Sequence, residues 1–306
     1  MRNRTHHMLL LGVLLLPTLA GGCSIRRMAV GAMADALSGE GTSAFMTDDD
    51  PALVGDALPS SLKLMESILQ EAPEHRGLLV ATASGFVQYA HGWVLRPAEE
   101  IEATDLRAAR AGRARAKRLF LRALDYGRRA LEVGRPGYTD ELFRDPESRV
   151  GELGTEDVPA MYWTAAALGS AIGAAKDDMS LVADLPVVLA LARRALEVDE
   201  GWGDGTLHEL MITLESGRPD GPDSGVPAAE RHFQRALELS AGHTVSPLVT
   251  MAETVCVRTQ DRARFQRLLE QALAFDLTIA PEHRLANELA RERARWLLDR
   301  IDDLFI

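Results

Sequence analysis

The amino-acid sequence predicts an all-helical fold built from stacked helix pairs. Apolar residues recur with a period of about 3.6 from residue 51 onward, and no segment alternates apolar and polar residues. One type of helix ending also recurs along the chain. Aromatic residues make up only 5% of the 306 residues, whereas alanine and leucine are abundant. This composition favours helices that pack closely through small side chains.

The recurring helix ending consists of a small residue, a leucine, an acidic or small residue and then an apolar residue. It occurs around Ala130, Ala195, Ala236 and Ala272, and the last three alanines are 41 and 36 residues apart. A period of about 34 residues is typical of the tetratricopeptide repeat (TPR), a helix pair that buries its apolar face by stacking on its neighbours. We therefore expect a TPR-like helical repeat, an α-solenoid. Residues 67–73 look like an earlier copy, and the 65 residues between Ala130 and Ala195 leave room for an irregular insert.

The helical domain is expected to span residues 51–306. Asp50 can cap the N-terminus of its first helix, and Pro51 fits the first helical position. The last helix, about residues 282–305, has an apolar stripe and a charged opposite face. This pattern is typical of the C-terminal capping helix of a solenoid.

The first 22 residues have the organisation of a bacterial export signal. Arg2 and Arg4 precede an apolar run at residues 8–19, which is shorter than the roughly 20 apolar residues of a membrane span. The small residues directly before Cys23 resemble a lipobox, so we expect cleavage after residue 22 and lipidation of Cys23. Residues 23–50 would then form a tether that includes a short helix. An ordinary secretory signal and an uncleaved anchor are the alternatives.

Lipidation of Cys23 would fix the protein to a membrane of the cell envelope, facing the periplasm, because its acyl chains anchor stably. By the sorting rule of enteric lipoproteins, Ser24 favours the outer membrane over the inner one. The formal net charge of −11 argues against binding to nucleic acid or to anionic lipid by charge.

A basic stretch of nine arginine and lysine residues runs from Arg107 to Arg129. It follows a cluster of acidic residues at positions 99–105, so we expect the two groups to offset each other across a solvated helix. Docking of a protein partner on the basic stretch is the alternative.

An uncharged segment at residues 158–175 is rich in alanine and glycine. Its hydrophobicity is poor for membrane insertion, so a tightly packed core helix is expected. Tyr162 and Trp163 stand near the start of this helix, where they could line a cavity.

Catalytic and metal-binding motifs are absent from the sequence. His208 and Glu209 begin like a zinc-protease motif, but Ile212 stands where the second histidine must be. The glycines follow no nucleotide-binding spacing, and no nucleophile elbow occurs. Cys256 lies in an apolar helical segment that would raise the pKa of its thiol and leave it inert. We expect no enzyme, no cofactor and no metal.

Aromatic residues cluster at a few positions of these aromatic-poor helices, and such clusters suggest a ligand cavity. The cavity residues expected from this clustering are Tyr89, Trp93, Tyr162, Trp163, Trp202 and His208. For His208, a purely structural role inside the helix packing is the alternative.

The order of several short motifs resembles the T-component (TatT) lipoproteins of tripartite ATP-independent periplasmic (TRAP) transporters. The motifs are residues 34–39, 48–51 with 57–59, 83–86 with 88–90, 176–178 with 183–186, 202–205 with 207–209, and 293–298. The resemblance implies a helical lipoprotein that meets the solute-binding P-component, with helix-lined cavities or pores for a small-molecule ligand. It offers no catalytic residues and is compatible with a homo-oligomer. A TPR-type scaffold for envelope assembly, with no transported ligand, is the alternative.

Overall fold

The computed structural model describes residues 30–39 and 44–306, and the prediction of an all-helical protein is confirmed. Within these ranges the regular structure is helical, and the β-type pairing is limited to an isolated bridge between Gly221 and Ser224. Cys23 and the rest of the expected export signal lie outside the described residues.

The first described helix, α1, covers residues 30–38. The helices that follow are α2 (Pro51–Glu71), α3 (Arg76–Ala90), α4 (Arg96–Glu100), α5 (Leu106–Glu132), α6 (Tyr138–Arg144), α7 (Pro146–Arg149), α8 (Val158–Ala174), α9 (Met179–Val182), α10 (Leu185–Val198), α11 (Thr206–Ser216), α12 (Val226–Leu239), α13 (Ser246–Met251), α14 (Val257–Thr259), α15 (Arg262–Ala274), α16 (Arg284–Asp299) and α17 (Ile301–Leu304). A π turn at His91–Leu95 joins α3 to α4, and another at Ala252–Cys256 joins α13 to α14.

The helices pack in an order that closes on itself. Neighbouring helices contact each other from α2 through α3, α5, α8, α10, α11, α13 and α15 to α16, and α16 in turn contacts α2. The backbone N–H of Leu285 in α16 donates to the carbonyl of Met46, 3.0 Å away, just before α2. The helices therefore form a closed ring. Helix α16 contacts α2 and so does not act as a free cap at the end of a solenoid.

Two apolar cores fill the ring. The first is formed mainly by α3, α5, α8 and α10, and the second by α12 to α17. Helix α11 contributes Leu207 to the first core and Ile212 to the second, and both side chains are fully buried. Helix α11 therefore belongs to both cores, and the two halves meet again where α16 contacts α2.

The four recurring helix endings are helix ends in the structure. Helices α5, α10, α12 and α15 end within one residue of the predicted positions. The shared residues Ala130, Ala195, Ala236 and Ala272 are each at most 1% exposed. A methyl group at these positions lets the next helix approach closely, which explains why the pattern places a small residue there.

The first long helix begins at the predicted residue, whereas the expected last helix is divided in two. The carboxylate of Asp50 accepts a hydrogen bond of 3.0 Å from the N–H of Leu53, and α2 begins at Pro51. The expected last helix breaks at Arg300, so that α16 ends at Asp299 and the short α17 follows.

The uncharged segment forms α8, a core helix, as expected. Ala165, Ala167, Leu168 and Ala171 are fully buried where α8 packs between α5 and α10. Among the described residues, no helix is both long and apolar enough to cross a membrane.

Several basic residues of the stretch in α5 pair with carboxylates, most of which lie outside the expected acidic cluster. Arg113 pairs with Glu102, as the sequence suggested. Lys117 instead pairs with Asp178 beyond α8, and the remaining pairs join α5 to α2, to α6 and within α5 itself. The acidic cluster and the basic stretch therefore do not offset each other as a unit, because the ring brings other carboxylates closer.

Helices α5 and α8 pack closely at Gly127, where an added side chain would disturb their contact. A Cβ atom at this position would lie 2.5 Å from Oγ1 and 3.2 Å from Cα of Thr164. We predict that Gly127→Ala lowers the free energy of unfolding by about 1–3 kcal/mol, because the two helices must separate. Urea denaturation measures this change.

Gly173→Ala in α8 is the matched control, because nothing lies within 4 Å of the added Cβ. It should leave stability unchanged or raise it by up to about 1 kcal/mol through its higher helix propensity. Equal effects of the two substitutions would contradict the close approach of α5 and α8.

Candidate functional site: a polar recess inside the helical ring

The two π turns bring a histidine and a glutamate close to the same pair of arginines. His91 opens the first π turn and Glu253 lies in the second. The charges of Arg96, Glu253 and Arg293 all act on the imidazole of His91. Because a π turn inserts one extra residue into a helix, it redirects side chains away from the regular apolar stripe. The region around His91, Arg96, Glu253 and Arg293 is called the recess below. It lies where two helices depart from the regular helical period.

Arg293 connects three separate parts of the chain. Its Nη2 donates to Oε2 of Glu99 in α4 over 2.8 Å, and it also pairs with Glu253. The guanidinium lies 4.2 Å from the ring centroid of Trp296 and is only 6% exposed. Two carboxylates and an aromatic face compensate the cost of burying this cation.

Arg96 has weaker compensation. Its Nη1 donates to the carbonyl of Leu289 over 3.1 Å, and its Nε is buried without a hydrogen-bond partner among the described residues. Desolvation, reinforced by the charge of Arg293, lowers the pKa of Arg96 from its ordinary value. Both arginines line a cleft of about 240 Å³ between α2, α4 and α16, together with Trp93 and Pro97 among others. Two residues that line the cleft, Arg96 and Arg293, therefore each have one buried guanidinium nitrogen without a hydrogen-bond partner among the described residues.

Glu209 of α11 is a further acidic group near Arg96, and two hydroxyl groups bind its carboxylate. Its carboxylate accepts hydrogen bonds of 2.7 Å from Ser246 and 2.8 Å from Thr250. Desolvation raises the pKa of Glu209, although both hydroxyls and the charge of Arg96 act against the shift. Its charge also contributes to the raised pKa of Tyr162, whose main cause is burial. Charged groups from both halves of the ring thus act on one another across a short distance.

The accessibility of these side chains indicates a solvent-reachable recess rather than a packed interior. His91 keeps an exposed side chain, yet desolvation by the surrounding protein lowers its pKa to about 4. Glu209 and Tyr162 are likewise half-buried, although protein surrounds them. We infer from this combination that the three side chains line a concavity that solvent can reach.

The six residues expected from aromatic clustering fall into two aromatic groups and a separate histidine. Tyr89 and Trp93 stack with ring centroids 6.3 Å apart, and Trp93 Nε1 donates to the carbonyl of Pro51 over 2.8 Å. The ring centroid of Tyr162 lies 4.8 Å from that of Trp163 and 5.1 Å from that of Trp202. Trp93 lines the cleft, and Tyr162 lies near Glu209.

His208 is placed away from the aromatic trio. Its side chain is 8% exposed, and its ring contacts that of His232, with centroids 5.0 Å apart. It is therefore neither a lone histidine nor a member of the trio formed by Tyr162, Trp163 and Trp202. Whether the six residues bind a ligand stays a prediction.

The sequence analysis missed most of the polar residues of the recess. Glu99 was noted only as part of the acidic cluster and Arg293 only as part of a family motif, whereas His91, Arg96 and Glu253 belong to no recognised motif. Closure of the ring brings Glu253 and Arg293 to the other three residues. Glu209 was noted only as part of a rejected metal motif. Nothing in the sequence indicated that it lies near Tyr162. The π turns themselves have no sequence signature in this chain.

The arrangement suits binding by hydrogen bonds and charge. In the described ranges, no three histidine, cysteine or acidic side chains stand close enough together to hold a metal ion. Burial raises the pKa of the Cys256 thiol to about 11, as its apolar setting predicted. A thiol with that pKa is a poor nucleophile.

The buried pairs of Arg293 allow a test of ring closure. We predict that Arg293→Gln lowers the free energy of unfolding by about 3 kcal/mol, because it leaves Glu99 and Glu253 without their cation. Arg262→Gln is the control, since its pair with Asp302 is exposed and worth less than about 1 kcal/mol. Denaturation midpoints compare the two, and equal losses would show that Arg293 has no special role.

Two comparisons with known proteins bear on the whole chain. An uncharacterised protein of Treponema pallidum (strain Nichols) is 26% identical over 305 residues, covering 94% of each chain. A family model described as TRAP transporter T-component matches residues 47–305. This is a family of transporter accessory proteins, which are not known as enzymes, and its match includes every helix from α2 to α17. The chain therefore belongs to the TRAP transporter T-component family.

Proposed function

We propose that this protein is a lipid-anchored, periplasm-facing T-component that binds the solute-binding P-component of a TRAP transporter and the small molecule it carries. The observation that carries the proposal is the polar recess inside the ring, which unites charged side chains from both halves of the chain. Arg96 and Arg293 line the cleft, and small-molecule sites are typically defined by a few convergent polar groups of this kind. Family membership supports the transporter context.

We also propose that the helix pairs are TPR-like units of one domain over residues 51–306. The support is the burial of Ala130, Ala195, Ala236 and Ala272 at corresponding helix ends. Stacked helix pairs present extended surfaces to protein partners, which suits docking of a second periplasmic protein.

The proposed anchor is the lipidated Cys23, with removal of residues 1–22. We predict that Cys23→Ser releases the protein from the membrane fraction, because two acyl chains supply the stable part of the attachment. Fractionation of cells and mass analysis of the mature N-terminus measure both changes. Membrane attachment that survives Cys23→Ser would favour an uncleaved anchor, and a cleavage site elsewhere would favour an ordinary secretory signal.

The aromatic trio provides the test of binding. We predict that Tyr162→Ala and Trp202→Ala each weaken binding of the solute-binding protein from the same organism by about tenfold or more, because buried aromatic side chains dominate such contacts. The measurement is calorimetry on the detergent-purified chain, with circular dichroism to confirm folding.

Phe143→Ala is the matched control. This half-buried aromatic residue of α6 lies outside the trio, and its ring packs against the guanidinium of Arg128. It should leave the affinity unchanged. Failure of the wild-type chain to bind any TRAP solute-binding protein, with capture of cell-envelope assembly proteins instead, would favour the scaffold function and overturn the proposal.

A further inference from the structure

The turn between α10 and α11 is fastened to α12 by three contacts. Glu200 receives a bidentate ion pair from Arg235, with distances of 2.9 and 2.8 Å. Gly205, with a φ of +95°, lies against the backbone of Ala236, where a Cβ would come within 2.8 Å of the carbonyl oxygen. His208 Nδ1 lies 2.8 Å from Nδ1 of His232.

The same turn carries Trp202 to the aromatic trio. Trp202 contacts Tyr162 of α8, whereas Glu200 and His208 on either side of it contact Arg235 and His232 of α12. Gly203, Asp204 and Gly205 all have positive φ values, a backbone conformation that residues other than glycine rarely adopt. The contacts to α12 therefore help to fix where Trp202 lies.

The hydrogen bonds determine which ring nitrogens of His208 and His232 carry a proton. The pair with Arg235 keeps Glu200 ionised, with a pKa of about 2, so its carboxylate can only accept. His208 Nε2, at 3.1 Å, must therefore be the donor to Glu200. A neutral His208 then has a lone pair at Nδ1, and His232 must donate its own Nδ1–H. The contact requires a single proton between the two facing nitrogens.

The surrounding charges oppose a second proton. His208 faces Glu200, Arg235 and His232, and desolvation lowers its pKa. Desolvation, with help from His208, also lowers the pKa of His232 to about 4.

Around His232 the charged groups come from three helices. They are Glu215 of α11, Arg231 of α12 and Arg193 of α10. Glu215 already forms an ion pair of 2.6 Å with Arg218. It therefore compensates little of the positive charge that protonation of His232 would add. A proton on Nδ1 of His208 would place two N–H groups head to head.

We propose that the His208–His232 pair is an acid-sensitive latch that fixes the Trp202 turn to α12 at neutral pH and releases it on acidification. Release lets the imidazoles take up protons in water, so falling pH favours the open turn. The opening constant should rise by up to about tenfold per pH unit for each histidine, below its ordinary pKa of about 6.5. The latch concerns the fold and does not depend on the proposed transport role, although release would alter the packing of Trp202 on Tyr162.

Hydrogen exchange of the full chain tests the latch without any partner. The amides of Trp202, Asp204 and Thr206 are hydrogen-bonded within the turn and should be protected at pH 7. After correction for the intrinsic pH dependence of exchange, their opening constant should rise by at least about tenfold between pH 7 and pH 5. Peptides from α5 should show no such change.

His232→Gln keeps a donor for His208 but cannot titrate, so it should reduce the pH effect on the turn at least about threefold. His283→Gln, outside the latch, should leave the effect intact. Unchanged protection of the wild-type turn at pH 5, or an undiminished pH effect in His232→Gln, would overturn the proposal.

Nitrogen NMR of the wild-type imidazoles is a second test that needs no variant. At pH 7 it should detect the Nε2–H tautomer of His208 and an Nδ1–H on His232. The Nδ1–H tautomer of His208 would equally overturn the proposal.

Discussion

The buried guanidinium of Arg293 connects α16, near the end of the chain, with α4 in its first third and with the second π turn. It pairs with Glu99 in α4 and with Glu253 in the second π turn. Helical repeat proteins generally leave two free ends, which need polar caps. Here α16 contacts α2 as well as α15, so the helices enclose space instead of extending a surface. The recess exists because these ends meet.

The periodic part of this fold could be predicted from the sequence because it depends on local rules. Ala130, Ala195, Ala236 and Ala272 had to be small wherever the next helix approaches, and the structure buries all four. The cap at Asp50 and the core helix α8 follow from equally local signals. Helix ends and apolar faces are determined by residues three or four positions apart, which a sequence displays directly.

The recess could not be predicted in this way, because its residues are distant in sequence. Arg293 lies 194 residues from its partner Glu99, and His208 finds His232 on another helix. Aromatic clustering did bring together Tyr162, Trp163 and Trp202, since two of them are adjacent and the third begins a conspicuous turn. The prediction that His208 belongs with them rested on sequence proximity, whereas its ring faces α12.

The close helix packing and the polar recess are two consequences of the same geometry. A Cβ at Gly112 of α5 would lie 2.5 Å from the Cβ of Ala98, so α4 packs almost directly on α5 through its smallest residues. On a helix, Arg96 and Glu99 lie about three residues apart and share a face that is turned away from Ala98. Contact of Ala98 with α5 therefore directs both charged side chains toward α16. The small residues that make the core tight also determine where the charges of the recess stand.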